Sequence, residues 1–313
     1  MKAIIVEQPG DVNQLIYTES EKPAASADEV LVKVKSISVN PVDIKTRIGS
    51  GVYGRIKAES PLILGWDIAG VVENVGAAVS KFKIGDEVFG MVNFPGHGKA
   101  YAEYVVAPEN QLALKPKNIS FEEAAASTLA ALTAWQALVK NAKVNAGQKI
   151  LVHAAAGGVG HFAVQIGKYL GAEVTGTSSA KNRDFVLGLG ADAHVDYHNY
   201  DWENHPDEFD FVLDTIGGDN IDQSIVVTKK GGIVISIPTT LNEAVSEKAK
   251  LKGVNGYFFL VESDGEDMKK IASLLEKSQV KVSVQQVFPF SEMKQAHMML
   301  ETGRTVGKII VNI

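Results

Sequence analysis

A chain of 313 residues, 45% hydrophobic and 22% charged with a formal net charge of −6, is long enough for two domains and apolar enough for a substantial buried core. The acidic balance argues against a general nucleic-acid binder. The absence of cysteine excludes disulfides and thiolate metal sites. No stretch has the length of a membrane span. The opening apolar run is short and interrupted by Glu7, so a cytoplasmic protein without a secretory signal is the expectation.

Residues 1 to about 118 read as mostly β. Lys2 to Val6 is a short strand. Val30 to Val39 is a long one with an alternating pattern, closed by Pro41, which lacks an N–H and fixes its own φ. Ile68 to Val75, Glu87 to Val92 and Tyr101 to Val106 follow at short spacing with glycine punctuation, which predicts a barrel-like β domain. At Ser120 the composition changes. Ser120 and Glu123 form a capping box, and Ala-rich helical sequence is expected to about Lys143.

From Gln148 the rhythm is βαβ, which predicts a parallel sheet with right-handed crossovers. Its centre is Lys149 to Gly160, KILVHAAAGGVG: a strand, a tight turn of small residues, then a helix. A dinucleotide pyrophosphate needs that order, because it must approach the backbone and be held by free N–H groups at a helix N-terminus. Gly157 and Gly158 permit the approach, Val159 completes the turn, and Gly160 lets the helix pack on the strand. Ala155 stands where the fingerprint usually has its first glycine. Further strands are expected at Glu173–Thr177, His194–Asp196, Phe209–Asp214, Ile233–Ile237 and Tyr257–Val261. Helices are expected at Arg183–Leu189, Glu266–Lys277 and Ser291–Glu301, and late strands at Val284–Phe288 and Lys308–Val311.

The end of the second βαβ strand selects the cofactor. An NAD site places a carboxylate there, on the ribose hydroxyls. Here the stretch is Thr177, Ser178, Ser179, Ala180, Lys181, Asn182, Arg183, with no carboxylate before Asp184. These hydroxyls and cations suit a 2′-phosphate, so NADPH is expected. Lys181 and Arg183 could also be a solvated first helical turn, but cations are disfavoured at that end by the macrodipole.

At this point the chain resembles the medium-chain dehydrogenase/reductase superfamily. The resemblance rests on VHAAAGGVGHFAVQIGKYLGAEVTGT together with Val39-Asn40-Pro41-Val42-Asp43, Gly65-Trp66-Asp67-Ile68-Ala69-Gly70, Val75-Gly76, Gly85-Asp86-Glu87-Val88, Tyr101-Ala102-Glu103-Tyr104, Leu132-Thr133-Ala134-Trp135 and Gly303 to Ile313. It spans essentially the whole chain and is nearest the zinc-free quinone oxidoreductase and alkenal (enone) reductase branch. It implies a GroES-like β-barrel domain over 1–118, to which 266–313 return, a Rossmann doubly wound parallel-sheet domain over 119–265, and an active site in the cleft between them. Zinc alcohol dehydrogenases of the superfamily have a cysteine near Asn40, Gly-His-Glu where Gly65-Trp66-Asp67 stands, and a four-cysteine lobe. None of these is present here, so no metal site is expected.

The implied activity is transfer of hydride from NADPH to a quinone or an α,β-unsaturated carbonyl. A cofactor-binding redox sensor or partner protein without significant turnover is the alternative, since fold does not dictate function. The resemblance places Asn40, Asp43 and Tyr53 near the nicotinamide end. Asn40 or Tyr53 is the candidate donor to the carbonyl oxygen, against Asn40 as a cap of the turn at Pro41 and Tyr53 as a surface-loop tyrosine. Asp67 reads as structural. Thr133 could meet the nicotinamide or be a core threonine. Tyr197 resembles a tyrosine near the adenosine 2′-phosphate, or is a plain strand-end aromatic. Ile216 and Gly217 lie at the C-terminal strand edge where ligands sit. Phe258 and Phe259 could position the nicotinamide, and Lys308 could reach the cofactor from the last segment. His153 reads as a buried strand residue. A homodimer through the Tyr257–Val261 edge is expected by analogy.

Overall fold

In a computed structural model the chain forms two compact units; residues 1–205, 208–238 and 242–313 are described. The strands are β1 (Lys2–Val6), β2 (Ile16–Glu19), β3 (Glu29–Val39), β4 (Leu62–Ile63), β5 (Asp67–Val75), β6 (Glu87–Met91), β7 (Tyr104–Pro108), β8 (Ala113–Leu114), β9 (Lys149–Val152), β10 (Glu173–Ser178), β11 (Ala193–Asp196), β12 (Phe209–Asp214), β13 (Thr228–Ser236), β14 (Asn255–Phe258), β15 (Val284–Pro289) and β16 (Lys308–Asn312). The helices are α1 (Pro41–Arg47), α2 (Tyr53–Ile56), α3 (Phe121–Ala126), α4 (Leu129–Trp135), α5 (Gly160–Tyr169), α6 (Arg183–Gly188), α7 (Asn220–Val227), α8 (Asn242–Lys252), α9 (Gly265–Glu276) and α10 (Met293–Glu301).

The first unit comprises Met1–Leu132, Glu262–Ser278 and Val282–Ile313. Its larger sheet runs β15-β16-β3-β5-β6-β8, with β7 also on β3, and its smaller one runs β2-β1-β4. The long strand β3 is the axis: β5, β7 and β16 all pair with it antiparallel. Val30, Val32, Val34, Ile37 and Val39 lie in the core at 2% exposure or less, but Leu31, Ser36 and Ser38 are buried as well and Lys33 alone is exposed, so the wet face expected from the alternation is largely covered. Pro41 ends it, as its missing N–H requires, and also opens a helix that periodicity does not reveal. Proline is favoured at the first helical position because that N–H has no partner in any case.

The first unit extends past residue 118 because α3 packs on β3, β5 and β16, burying Ala124, Ala125 and Ala126 completely. The capping box forms, with Ser120 N–H on Glu123 Oε2 at 2.9 Å and Glu123 N–H on Ser120 Oγ at 3.2 Å. The expected single helix to Lys143 is broken. Ser127 Oγ bonds back to Glu123 O at 2.6 Å and Thr128 Oγ1 to Ala125 O at 2.9 Å, competing with the helical ladder. A wider helical turn at Gln136–Asn141 then follows α4.

The second unit comprises Thr133–Val261 and Gln279–Lys281. All six strands of its sheet are parallel, in the order β11-β10-β9-β12-β13-β14. That is the doubly wound Rossmann order, with its switch point between β9 and β12, where such sheets bind dinucleotides. Strands β9 and β12 and the second half of β13 are mostly apolar because both faces are covered, and Leu151, Val212 and Val234 are fully buried in one cluster with Trp202 and Ile221.

Candidate active site

In the second unit the glycine turn follows β9. Ala154 sits at φ +46°. Ala155 N–H donates to Thr177 O on β10 at 2.8 Å, which fastens the turn to the sheet. The missing first glycine has a local explanation. Ala155 abuts Gly176 on β10, where an added Cβ would lie 2.7 Å from the Ala155 methyl. Space that a fingerprint glycine usually leaves in the loop is left in the strand instead. A Cβ on Gly160 would lie 2.2 Å from Ala154 O, so only glycine lets α5 start against the turn. Gly157, Gly158 and Val159 are half-buried. The N–H groups of Gly158 and Val159 have no acceptor among the described residues. A cradle of small residues around Gly157 and Gly158, with free N–H groups at the N-terminus of a ten-residue helix, fits a pyrophosphate.

The end of β10 carries the remaining nucleotide candidates. Ser178 is buried and Ser179 half-buried, while Lys181 and Arg183 are exposed at the short helical turn and the start of α6. Arg183 lies 3.6 Å from Asp184, a pair with both side chains exposed and of small energetic weight. Tyr197 follows β11, 48% exposed and stacked on His198 at 4.1 Å. The nearby carboxylate Asp196 is occupied by His198 Nδ1 at 2.9 Å, His198 N–H at 3.3 Å and Asn199 Nδ2 at 3.2 Å. Cations thus stand open at the strand end while that carboxylate is already satisfied, an arrangement that suits a phosphate.

Thr133 is buried on α4. Ile216, 49% exposed, follows β12, and Phe258 and Phe259 are half-buried at and after the end of β14. Asp214 anchors the strand edge. It accepts from the N–H groups of Ile216 and Gly217 at 3.0 Å each, from Asn220 Nδ2 at 2.8 Å and from Ser236 Oγ at 2.8 Å. His153 is fully buried beside Trp202, its Nδ1 3.2 Å from Thr177 Oγ1 and its Nε2 unpaired. Burial drives its pKa down to about 4, so it is a neutral core residue.

The first unit holds a buried polar cluster around the start of α1. Asn40 is 1% exposed. Its Nδ2 donates to Asp67 Oδ2 at 2.7 Å and to Ser38 O at 3.3 Å, while its Oδ1 accepts from Lys308 Nζ. Lys308, on β16, is 3% exposed. Asp67 also accepts from Leu129 N–H at 2.9 Å, and so caps α4. Asp43, three residues into α1, accepts from Asn40 N–H at 2.5 Å. Asp43 is fully buried, and burial raises its pKa to about 8 against the opposing Asn40 hydrogen bond. It is therefore a neutral acid at pH 7. Burial lowers the pKa of Lys308, opposed by Asp67 and Asp43.

Sequence reading missed the arm behind Asp43. Tyr101, fully buried, faces the Asp43 carboxyl, although Asp43 Oδ1 lacks a hydrogen bond of normal geometry. The Tyr101 hydroxyl is 2.9 Å from His297 Nε2, and His297 Nδ1 is 3.1 Å from Arg47 Nη1. Arg47 also pairs with Glu301. Because arginine can only donate, His297 Nδ1 must accept, so Nε2 carries the proton and donates to Tyr101. Burial pushes the His297 pKa to about 3, with Arg47 acting in the same direction. Tyr53 differs from these groups. It is half-buried at the start of α2, and its hydroxyl has no partner among the described residues.

A unit of GroES-like type joined in one chain to a dinucleotide-type parallel sheet defines the alcohol dehydrogenase-like class of oxidoreductases. Residues 26–117 match the family described as alcohol dehydrogenase GroES-like domain, and residues 189–311 that described as zinc-binding dehydrogenase. The chain is 37% identical over 322 residues to a 2-methylene-furan-3-one reductase of Solanum lycopersicum, covering 100% of this chain and 79% of that protein. It is 37% identical over 321 residues to an NADPH-dependent alkenal/one oxidoreductase, chloroplastic, of Arabidopsis thaliana, covering 99% and 79%. Among solved structures, the quinone oxidoreductase from Coxiella burnetii superposes with a TM-score of 0.95 at 37% identity, covering 100% of this chain and 99% of that one. The chain belongs to the medium-chain dehydrogenase/reductase superfamily and is an oxidoreductase. Among the described residues no helix is long and apolar enough to cross a membrane, and no three His, Asp or Glu side chains form a metal-holding group.

Proposed function

We propose that this chain reduces quinones or α,β-unsaturated carbonyls with NADPH and without a zinc ion. The observation that carries the cofactor reading is the end of β10, where Ser178, Ser179, Lys181 and Arg183 stand together and Asp196 is already satisfied. The Ala155–Gly160 turn would hold the pyrophosphate. Ser178, Ser179, Lys181, Arg183 and Tyr197 would hold the 2′-phosphate. Thr133, Ile216 and Phe258 are assigned to the nicotinamide side. When bound, NADPH supplies a hydride. The names of similar proteins, an alkenal/one oxidoreductase and a quinone oxidoreductase, support an acceptor already polarised by conjugation. Such an acceptor needs no Lewis acid, and cysteine is absent where related zinc enzymes carry it.

The protein's own contribution is orientation and hydrogen bonding. Of the two candidate donors to the carbonyl oxygen, Tyr53 retains an unpartnered hydroxyl, whereas both Asn40 amide hydrogens have acceptors, on Ser38 and Asp67. We therefore assign the donor role to Tyr53. Asn40 and Lys308 form a buried frame in which Lys308 orients the Asn40 amide. A homodimer through the β14 edge and a cytoplasmic location complete the proposal, tested by light scattering and cell fractionation.

The main experiment follows NADPH absorbance with a panel of quinones, enones and alkenals, alongside metal analysis. Turnover without bound metal is expected. Tight NADPH binding with no turnover on any acceptor would instead favour a binding protein, and stoichiometric zinc would overturn the metal-free mechanism. Tyr53→Phe should lower kcat roughly 10- to 100-fold, at or below the range for removing one oxyanion donor. An unchanged kcat would remove Tyr53 from the chemistry.

A further inference from the structure

The strand beside β10 contributes a titratable group that the reading above does not use. His194 lies on β11, half-buried, opposite Gly176 in the parallel register. Its Nε2 is 2.7 Å from Ser178 Oγ. The Ser178 hydroxyl also lies 3.2 Å from Ser179 O, as a donor. A serine has one proton to give. When Ser178 donates it to Ser179 O, or turns it toward a ligand, His194 must supply a proton from Nε2. When His194 is the acceptor, Ser178 has nothing left to donate to an anion. The state of His194 therefore decides whether Ser178 can act as a donor.

The charged groups acting on the ring are Arg183 at the start of α6 and Asp196 two residues along β11. Burial and Arg183 hold the His194 pKa below its ordinary value, and Asp196 opposes them. Asp196 is itself tied to His198 and Asn199. A phosphate near Arg183 would offset that cation and add negative charge beside the imidazole, favouring its protonated form. Two features thus coincide at one residue: the hydrogen bond to Ser178 and proximity to the exposed Arg183.

We propose that His194 is a specificity-determining residue of the dinucleotide site, setting the Ser178 hydroxyl as a donor and taking up a proton when the 2′-phosphate binds. This rests on the assignment of the β10 end to the 2′-phosphate. Its consequence is a preference for NADPH over NADH that strengthens as the pH falls toward 6. The phosphate's own second ionisation near pH 6 acts in the opposite direction and is common to every variant, so the comparison between variants isolates the histidine.

The test is the ratio of NADH to NADPH dissociation constants at pH 6, 7 and 8, measured by calorimetry on the full-length wild-type protein, His194→Gln and His194→Ala. Calorimetry in buffers of different ionisation enthalpy counts the protons taken up. Glutamine can donate to Ser178 but cannot titrate. Relative to His194→Gln, the wild-type ratio should rise roughly 3- to 10-fold from pH 8 to pH 6, with greater proton uptake on NADPH binding. His194→Ala should reduce the ratio at every pH. Identical pH profiles and proton counts for the wild type and His194→Gln would overturn the proposal. Replacing Lys181 and Arg183 with alanine separates the two readings. Equal losses of NADPH and NADH there would sink the 2′-phosphate assignment and this inference with it. A loss confined to NADPH there, combined with unaltered titration in His194→Gln, would sink this inference alone.

Discussion

The polar groups of the first unit and those of the second face opposite demands. Around Asn40 the first unit buries a lysine, two aspartates, an arginine, a tyrosine and a histidine, nearly all with partners. At the end of β10 the second unit leaves Lys181 and Arg183 exposed with almost nothing to hold. Buried charge must be matched inside the fold, because stranding it costs several kcal/mol. Exposed charge without a partner costs little and stays available. On the proposed reading the first cluster is a frame and the second a receptor, and mutation should affect stability in one and affinity in the other.

Lys308→Met tests the frame most severely. It removes the donor to Asn40 Oδ1 and the buried positive charge that acts on Asp67, and unfolding in urea should register a loss of about 2–5 kcal/mol. A loss below about 1 kcal/mol would mean the ammonium does not offset the carboxylate. On the receptor side, replacing both Lys181 and Arg183 with alanine should weaken NADPH on the order of 100-fold and NADH less than about 3-fold, with stability almost unchanged. A large drop in stability would blur the distinction between the two regions.

Asp43 tests the frame through pH. Its folded pKa, near 8, lies above the unfolded value near 4, so the folded state binds the proton more tightly. That contribution is complete below about pH 4 and is lost as pH rises toward 8. Between pH 6 and 7, wild-type stability should fall by about 1.4 kcal/mol more than that of Asp43→Asn, as followed by thermal or urea unfolding. Parallel slopes would place Asp43 in its ionised form. The smallest expected effect is at the turn. Gly176→Ala should cost about 1–3 kcal/mol by overpacking, and Ala155→Gly should recover part of it, with a coupling of roughly 1 kcal/mol in a double-mutant cycle. Strict additivity would mean the two positions do not share one space.

Local rules made much of this legible beforehand. The βαβ rhythm, the capping box at Ser120 and the strand Phe209–Asp214 depend on neighbours within a few residues, and they stand where expected; other boundaries move further, as where β13 begins at Thr228 rather than Ile233 and β7 at Tyr104 rather than Tyr101. The tight turn between β9 and α5 was readable because its requirement is a run of small residues. The buried cluster was not, since Arg47 and His297 are 250 positions apart and only the tertiary fold brings them together. Helix α1 was hidden behind Pro41, whose effect as a strand stop and as a helix start is the same in sequence. The break between α3 and α4 came from Ser127 and Thr128, ordinary residues in an Ala-rich run whose hydroxyls happened to turn back on the backbone. Nothing in the strand of Lys308 announces that Asn40 will receive its ammonium.

The pairing of β16 with β3 also sets an order of assembly. On that side of β3, β7 covers Glu29 to Lys33, while Ser36 to Val39 are paired only by β16, at residues 309–312. As the chain leaves the ribosome, the second unit has all six of its strands in hand by Phe258. The first, begun earlier, still presents a bare strand edge beside Asn40 until some fifty further residues have been made. Newly made chains are thus most vulnerable to mispairing at the very stretch that leads into the frame, and the unit synthesised first is completed last.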